Sequence, residues 1–138
     1  MFSARSCDLN QGFSLIELML VILALGILAA LAYPSYQQQV LKSQRQQAWT
    51  YLMRIQIAQE KWRASHPSYT QSLQDLGMSS FTEEGDYQME IQVLEEAAWG
   101  YRLIAKAQGQ QTKDTPCQLI ILTYQAGVTQ KTPHACWP

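Results

Sequence analysis

The chain has 138 residues, 47% of them hydrophobic, and a formal net charge of −1. That length fits one domain plus an anchor, and the near-zero charge argues against bulk affinity for nucleic acid. Its two histidines, His66 and His134, belong to no HExxH pattern and no GxSxG is present, so nothing assigns a catalytic residue and no enzyme is expected.

Residues 1–12 are polar. Arg5 is offset by Asp8 and no apolar segment precedes Gly12, so this stretch is not a secretory signal peptide. Cys7 likewise lacks the apolar lead-in of a lipid-attachment site. The only asparagine is Asn10, so no glycosylation sequon exists. From Phe13 to Tyr33 the sequence is apolar, and Glu17 is its sole charge. As a helix these residues span about 31 Å, enough to cross a bilayer core. A carboxylate near the start of such a helix costs roughly 2.5–3.5 kcal/mol on insertion scales, so a partner is expected. The obvious partner is an amine, which a cut after Gly12 would create on Phe13.

The string Gly12-Phe13-Ser14-Leu15-Ile16-Glu17-Leu18-Met19 behind a short polar leader resembles the prepilin class of the type IV filament superfamily. The resemblance implies that a prepilin peptidase cuts between Gly12 and Phe13 and methylates the new amine. It also implies that Glu17 is the assembly residue, its carboxylate neutralising the α-amine of Phe13 in its own chain or a neighbour's. In a low dielectric that pairing is strong and penalises a subunit out of register. This leader is less basic than those of the family usually are.

Phe13–Arg63 reads as one long helix in two halves. The first is apolar all round. Pro34 cannot donate to the carbonyl of Ala30, so a kink or loosened turn is expected where polarity begins. By resemblance, Gly26–Pro34 is the stretch that loses helicity when subunits pack. In the second half Leu41, Arg45, Ala48, Leu52, Ile55, Gln59 and Trp62 follow a 3-4 spacing, a stripe that fits a coiled-coil partner or a covering sheet, the sheet being favoured because the stripe is short and strands follow. Ser65-His66-Pro67-Ser68 ends the helix. Ser68–Gly85, about 18 residues, is expected to pack locally on the head.

Three strands and a short fourth follow. Asp86–Leu94 alternates with Tyr87, Met89, Ile91 and Val93 inward. Glu95-Glu96-Ala97-Ala98 turns the chain into Trp99–Ala107, with Tyr101, Leu103, Ala105 and Ala107 inward. Gln108–Pro116 reads as a polar loop. Cys117–Tyr124 is apolar on both sides, hence central, and Ala126-Gly127 turns the chain into Val128–Lys131. Cys117 and Cys136 are an even pair in a segment expected outside the inner membrane. A disulfide between them closes a loop of about 20 residues and contributes roughly 3 kcal/mol. The rival, a metal site on Cys117, His134 and Cys136, offers three ligands where structural zinc wants four, and no metal or cofactor is assigned. An acidic patch of Glu83, Glu84, Glu90, Glu95 and Glu96 lacks the spacing of an EF-hand loop and reads as a solvated edge.

Charge is divided along the chain. Residues 35–63 carry five cations against Glu60, a net of +4, and residues 64–138 carry four cations against eight carboxylates, a net of −4. An acidic head disfavours nucleic acid as a partner, leaving only a local strip near Lys106 and Lys113.

Tyr69-Thr70, Leu73, Leu76-Gly77, Asp114-Thr115-Pro116-Cys117-Gln118-Leu119, Gly127 and Cys136-Trp137 are similar to the PilE-type minor pilins of type IVa systems. The implied fold is an α+β ladle: a long N-terminal helix, its apolar half membrane-spanning, packed against a four-stranded antiparallel sheet with a C-terminal disulfide loop. The expected organisation is a leader (1–12), a transmembrane and assembly half-helix (13–34), and a periplasmic head (35–138). Within the head lie the amphipathic half-helix (35–65), connector (66–85) and sheet with disulfide loop (86–138). The implied function is a structural minor subunit of a type IV pilus serving assembly, adhesion, twitching motility or DNA uptake. Its implied partners are other major and minor pilins, the prepilin peptidase, the inner-membrane assembly platform and, before assembly, membrane lipid. It would sit single-pass in the inner membrane, N-terminus cytoplasmic, and then at the cell surface. The alternatives are a pseudopilin of a type II secretion system and a single-pass membrane-anchored periplasmic domain.

Overall fold

The computed structural model describes residues 13–94 and 100–138. The expected leader with Gly12, the turn at Glu95-Glu96-Ala97-Ala98, and Trp99 lie outside the described residues. The elements in order are helix α1 (Leu15–Arg63), strands β1 (Tyr87–Leu94), β2 (Gly100–Ala107), β3 (Leu119–Gln125) and β4 (Val128–Thr132), with short 3-10 turns at Gly109–Lys113, Thr115–Cys117 and His134–Cys136. The sheet is an antiparallel meander in the order β1-β2-β3-β4. This is the expected α+β type IV pilin architecture: one long helix apolar in its first part, four antiparallel strands and a Cys117–Cys136 disulfide.

Helix α1 runs through Pro34 without interruption. The chain divides into two compact units at Gln37/Gln38. In the first unit every described side chain is exposed. In the second unit the stripe of α1 narrows to Ala48, Leu52, Ile55 and Gln59, which are fully buried. Leu41 and Trp62, the ends of the expected stripe, are only half-buried. The sheet supplies Tyr87, Met89 and Ile91 from β1, Tyr101, Leu103 and Ala105 from β2, and Ile120 and Leu122 from β3. These are alternate positions, as expected of a half-buried strand that repeats every two residues, while Val93 and Ala107, also expected inward, are only half-buried near the strand ends. Each fully buried Leu or Ile contributes roughly 1.5–3 kcal/mol.

Two expectations change. Strand β3 starts at Leu119 rather than Cys117, which sits in the Thr115–Cys117 turn. The strand is internal, between β2 and β4, but it is not covered on both faces: Ile120 and Leu122 are buried while Leu119 is exposed. Its continuous apolar run therefore reflects strand propensity on one face and core on the other. Gln108–Pro116, expected to be a polar loop, contains two buried polar residues, Gln111 and Asp114.

The β3–β4 connection is a two-residue hairpin, since Gln125 pairs with Val128. Ala126 and Gly127 both have positive φ, 50° and 82°, the geometry whose twist matches the flanking strands. Gly100 is required for a different reason: a Cβ there would lie 2.8 Å from the Tyr124 carbonyl oxygen.

Polar side chains fix how the connector and loops sit on α1. Gln59 is fully buried and clamps Thr70, its Nε2 donating to the Thr70 carbonyl at 2.6 Å and its Oε1 accepting the Thr70 N–H at 3.2 Å. Tyr51 does the same at Ser79, where its hydroxyl donates to the carbonyl and accepts the N–H, both at 3.0 Å. Arg45 forks onto Asp114 with bonds of 2.9 and 2.7 Å. Gln111 Nε2 lies 3.1 Å from Asp114 Oδ2, 3.0 Å from the Tyr87 hydroxyl and 3.2 Å from the Leu41 carbonyl. The Tyr87 hydroxyl in turn donates to the Cys117 carbonyl at 3.1 Å.

Asp114 is nearly inaccessible, so removing Arg45 strands a buried carboxylate. Arg45→Ala is expected to destabilise the head by about 3 kcal/mol in chemical denaturation, and Arg45→Lys to recover only part of that, because an ammonium lacks the fork. A loss within about 0.5 kcal/mol would show that the pair is merely solvated.

Candidate assembly site and its supporting head

The first unit presents an unbroken apolar surface. Phe13 is 82% exposed, and Leu15, Ile16, Leu18, Met19, Leu20, Val21, Ile22, Leu23, Leu25, Ile27, Leu28 and Leu31 are all exposed. A patch of that extent has to be covered by lipid or by other protein. Glu17 is the acidic residue of the first helical turn, where the positive end of the helix dipole favours a carboxylate. The Leu18 N–H bonds the Ser14 carbonyl, so helical bonding begins one residue after Phe13. Phe13 is thus outside the helix and Glu17 inside it, four residues on. Gly26 has open space around its α-carbon, so nothing in this unit depends on its small size. Tyr33 accepts a 2.8 Å bond from Gln37 where the apolar run ends, a usual place for an amphipathic ring at a membrane boundary.

The head is stapled by the Cys117–Cys136 disulfide, which joins the start of β3 to the last 3-10 turn across 19 positions of sequence. Both cysteines are fully buried, and Trp137 packs on Trp49 of α1 with ring centroids 6.3 Å apart. Lys131 of β4 lies 5.0 Å from the centre of the Trp137 ring. Sequence reasoning placed the cysteines and missed the tryptophan stack, whose members are 88 positions apart.

A tyrosine cluster closes the sheet against the helix. Tyr69 and Tyr101 both direct their hydroxyls to Glu60 Oε1, at 3.2 and 3.4 Å, and Tyr124 stacks on Tyr101. Burial, then the Glu60 charge, pushes Tyr69 up to about 12 and Tyr101 higher still, so both remain hydrogen-bond donors at any physiological pH. Burial likewise raises Tyr87 to about 12, against the lowering bond from Gln111.

The acidic patch expected from sequence is split by the fold. Glu90 is taken by Lys106, which donates at 2.6 Å and, with Gln92, holds its carboxyl below the usual range. Lys106 is therefore neutralised, so the basic strip expected near Lys106 and Lys113 loses one of its two charges. Glu83 and Glu84 lie apart, in the turn before β1, and Glu95 and Glu96 fall outside the described residues. Asp86, which is not part of that expected patch, is the costly carboxylate. Its Oδ2 is buried with no hydrogen-bond partner among the described residues, and burial, then the charge of Glu84, raises its carboxyl above the usual range.

Two family models match the chain, one after the other. Residues 34–121 match the family model described as type IV minor pilin ComP, DNA uptake sequence receptor, and residues 8–33 match the prokaryotic N-terminal methylation motif. Among curated proteins, the type IV major pilin protein PilA of Myxococcus xanthus is 34% identical over 70 residues, which is 51% of this chain and 32% of PilA. A fimbrial protein of Neisseria meningitidis is 34% identical over 86 residues, 62% of this chain and 51% of the relative. The fimbrial protein EcpC of Eikenella corrodens is 54% identical over 42 residues, 30% of this chain and 28% of the relative. The chain spans about half the length of these relatives or less.

A raised carboxyl is a penalty on the ionised form, so the folded state is disfavoured above the folded-state value and relieved as pH falls through it. Asp86→Asn is therefore expected to raise the melting temperature at pH 7, with the advantage shrinking on acidification. A thermal scan across pH in which the variant gains nothing at pH 7 would contradict the assignment.

Proposed function

Because the chain belongs to the type IV minor pilin ComP family, we propose that it is a structural minor subunit of a type IV pilus, made as a prepilin and held by its N-terminal helix. The observation that carries this reading is a helix whose first part is apolar on every side, broken by one carboxylate, ahead of a disulfide-closed head. Such a surface needs two successive coverings, lipid before assembly and neighbouring pilin helices after it. The subunit would sit single-pass in the inner membrane with the N-terminus cytoplasmic and the head periplasmic, then in the pilus at the cell surface.

Gly12 and Phe13 would form the scissile pair for a prepilin peptidase, with methylation of the Phe13 amine. The match of residues 8–33 to the methylation motif spans that junction and supports it. Glu17 would neutralise the α-amine of Phe13, in its own chain or a neighbour's. Away from water an unpaired carboxylate is expensive, so the pair would set the axial register of the incoming subunit. Gly26 and Pro34 would mark the stretch that loosens on packing. The remaining partners are other pilins and the inner-membrane assembly platform, and the role is structural rather than enzymatic.

Among the processes a pilus serves, the family's description as a DNA uptake sequence receptor favours DNA uptake. That shifts the weight which the acidic head alone placed against nucleic acid, since a receptor reads DNA through local contacts and not through net charge. The pseudopilin alternative shares the N-terminal pattern. The match of residues 34–121, which covers most of the head, favours the pilus.

Intact mass and N-terminal sequencing of membrane-extracted protein is expected to show residues 1–12 missing and the chain starting at a methylated Phe13. An intact Met1 in cells that process other prepilins would return the membrane-anchored-domain alternative. Separately, Glu17→Val is expected to leave the protein in the membrane at normal abundance and to reduce its recovery in sheared pili by about tenfold or more, equivalent to about 1.4 kcal/mol in assembly. Normal incorporation would remove the register role from Glu17.

A further inference from the structure

A groove of about 300 Å³ runs between the second half of α1 and the turn that precedes β1. Its volume is at the lower end for small-molecule sites, and its lining is polar where such sites are mostly apolar. Gln46, Gln47, Tyr51 and Arg54 line it from the helix, Glu83 and Glu84 from the turn. Arg54 faces the groove with Glu83 and Glu84, and among the described residues it forms an ion pair with neither. The side chains of Gln46 and Gln47 are also without hydrogen-bond partners among the described residues. The walls are nevertheless fixed. Tyr51 is held by both backbone groups of Ser79, and the turn is closed by bonds from the Thr82 N–H to the Tyr87 carbonyl and from the Gly85 N–H to the Thr82 carbonyl, each 3.0 Å.

The donor and acceptor inventory selects the ligand. Arg54 only donates, Glu83 and Glu84 only accept, and the two glutamine amides do both. An anion would satisfy Arg54 and be repelled by two carboxylates. A cation would satisfy the carboxylates and be repelled by Arg54. An apolar ligand would strand all of these groups. Neutral vicinal hydroxyls each donate and accept, so one ring can serve both walls. Planar guanidinium, amide and carboxylate groups have the span to bridge adjacent hydroxyls, and Tyr51 lines the same groove. We infer that this groove binds a neutral saccharide. The inference does not depend on entry into a filament. Glycan strands built on N-acetylhexosamine and galactose-ended surface glycans share the required chemistry.

The test is titration of the isotope-labelled full chain with chitotriose and with lactose, following the Gln46 and Gln47 side-chain amide signals by NMR. Micelles of a detergent with no sugar headgroup are needed, since a maltoside would compete. Saturable shifts with a dissociation constant of about 1 mM are expected, weakened about tenfold or more by Arg54→Ala and by Gln47→Ala. Both residues are exposed, so the fold should survive, and unchanged shifts in β1–β3 check that. A response to chitotriose alone points to the N-acetylhexosamine source, and a response to lactose alone to the galactose source. Absence of saturable shifts with either saccharide overturns the inference. So does binding that neither substitution weakens, because it would lie elsewhere on the molecule.

Discussion

Ala48, Leu52 and Ile55 are the only apolar side chains of α1 that are fully buried, and the head is organised around covering them. They recur at helical spacing on one narrow stripe, and the inward positions of β1, β2 and β3 are laid over it. An isolated sheet of four strands with one apolar face would be marginal, and so would an isolated helix with a stripe this thin. Each supplies the surface that the other lacks.

Burial does not say where along the stripe the sheet should settle, because the hydrophobic effect has no direction. Position comes from polar contacts that work at one register only. Gln59 accepts and donates to the backbone of Thr70, Tyr51 does so at Ser79, and Arg45 forks onto Asp114. These contacts are spaced along α1 and hold the connector and the β2–β3 loop at fixed heights. The Cys117–Cys136 bridge then ties the last turn to the start of β3 and brings Trp137 onto Trp49. For a head of about a hundred residues, such fasteners replace the large core that the length does not allow.

The same helix carries a second, opposite specification in its first unit. There burial inside the chain is nil among the described residues, and each of their apolar side chains is left for something else to cover. Glu17 is the one carboxylate of the apolar run, and the register role proposed for it parallels the way one polar residue specifies the register of an apolar helical seam at some cost in stability. A surface of this kind needs a covering from outside the chain, which fits a family of pilins.

Much of this was legible in the chain itself. The apolar run, its one carboxylate, the 3-4 stripe, the period-two strands, the Ala126-Gly127 turn and the even cysteine pair are local patterns, and each reports a local constraint: the helical repeat, the pleat, the sign of φ, the redox chemistry of a thiol. What the sequence did not reveal joins residues far apart. Gln108–Pro116 looked like solvent-facing loop because its residues are polar, yet Asp114 is buried, its carboxylate held by Arg45, 69 positions earlier. Glu90 looked like one of five similar glutamates until strand register placed Lys106 beside it, while Glu83 and Glu84 were left across a groove from Arg54. Leu119 looked buried because its neighbours are, and only the single helix layer on one face of the sheet decides that it is not. Sequence determines which side chains want water and at what spacing. Which polar group meets which is decided by the fold, because that choice depends on distance and desolvation, and neither exists until the sheet lies on the helix.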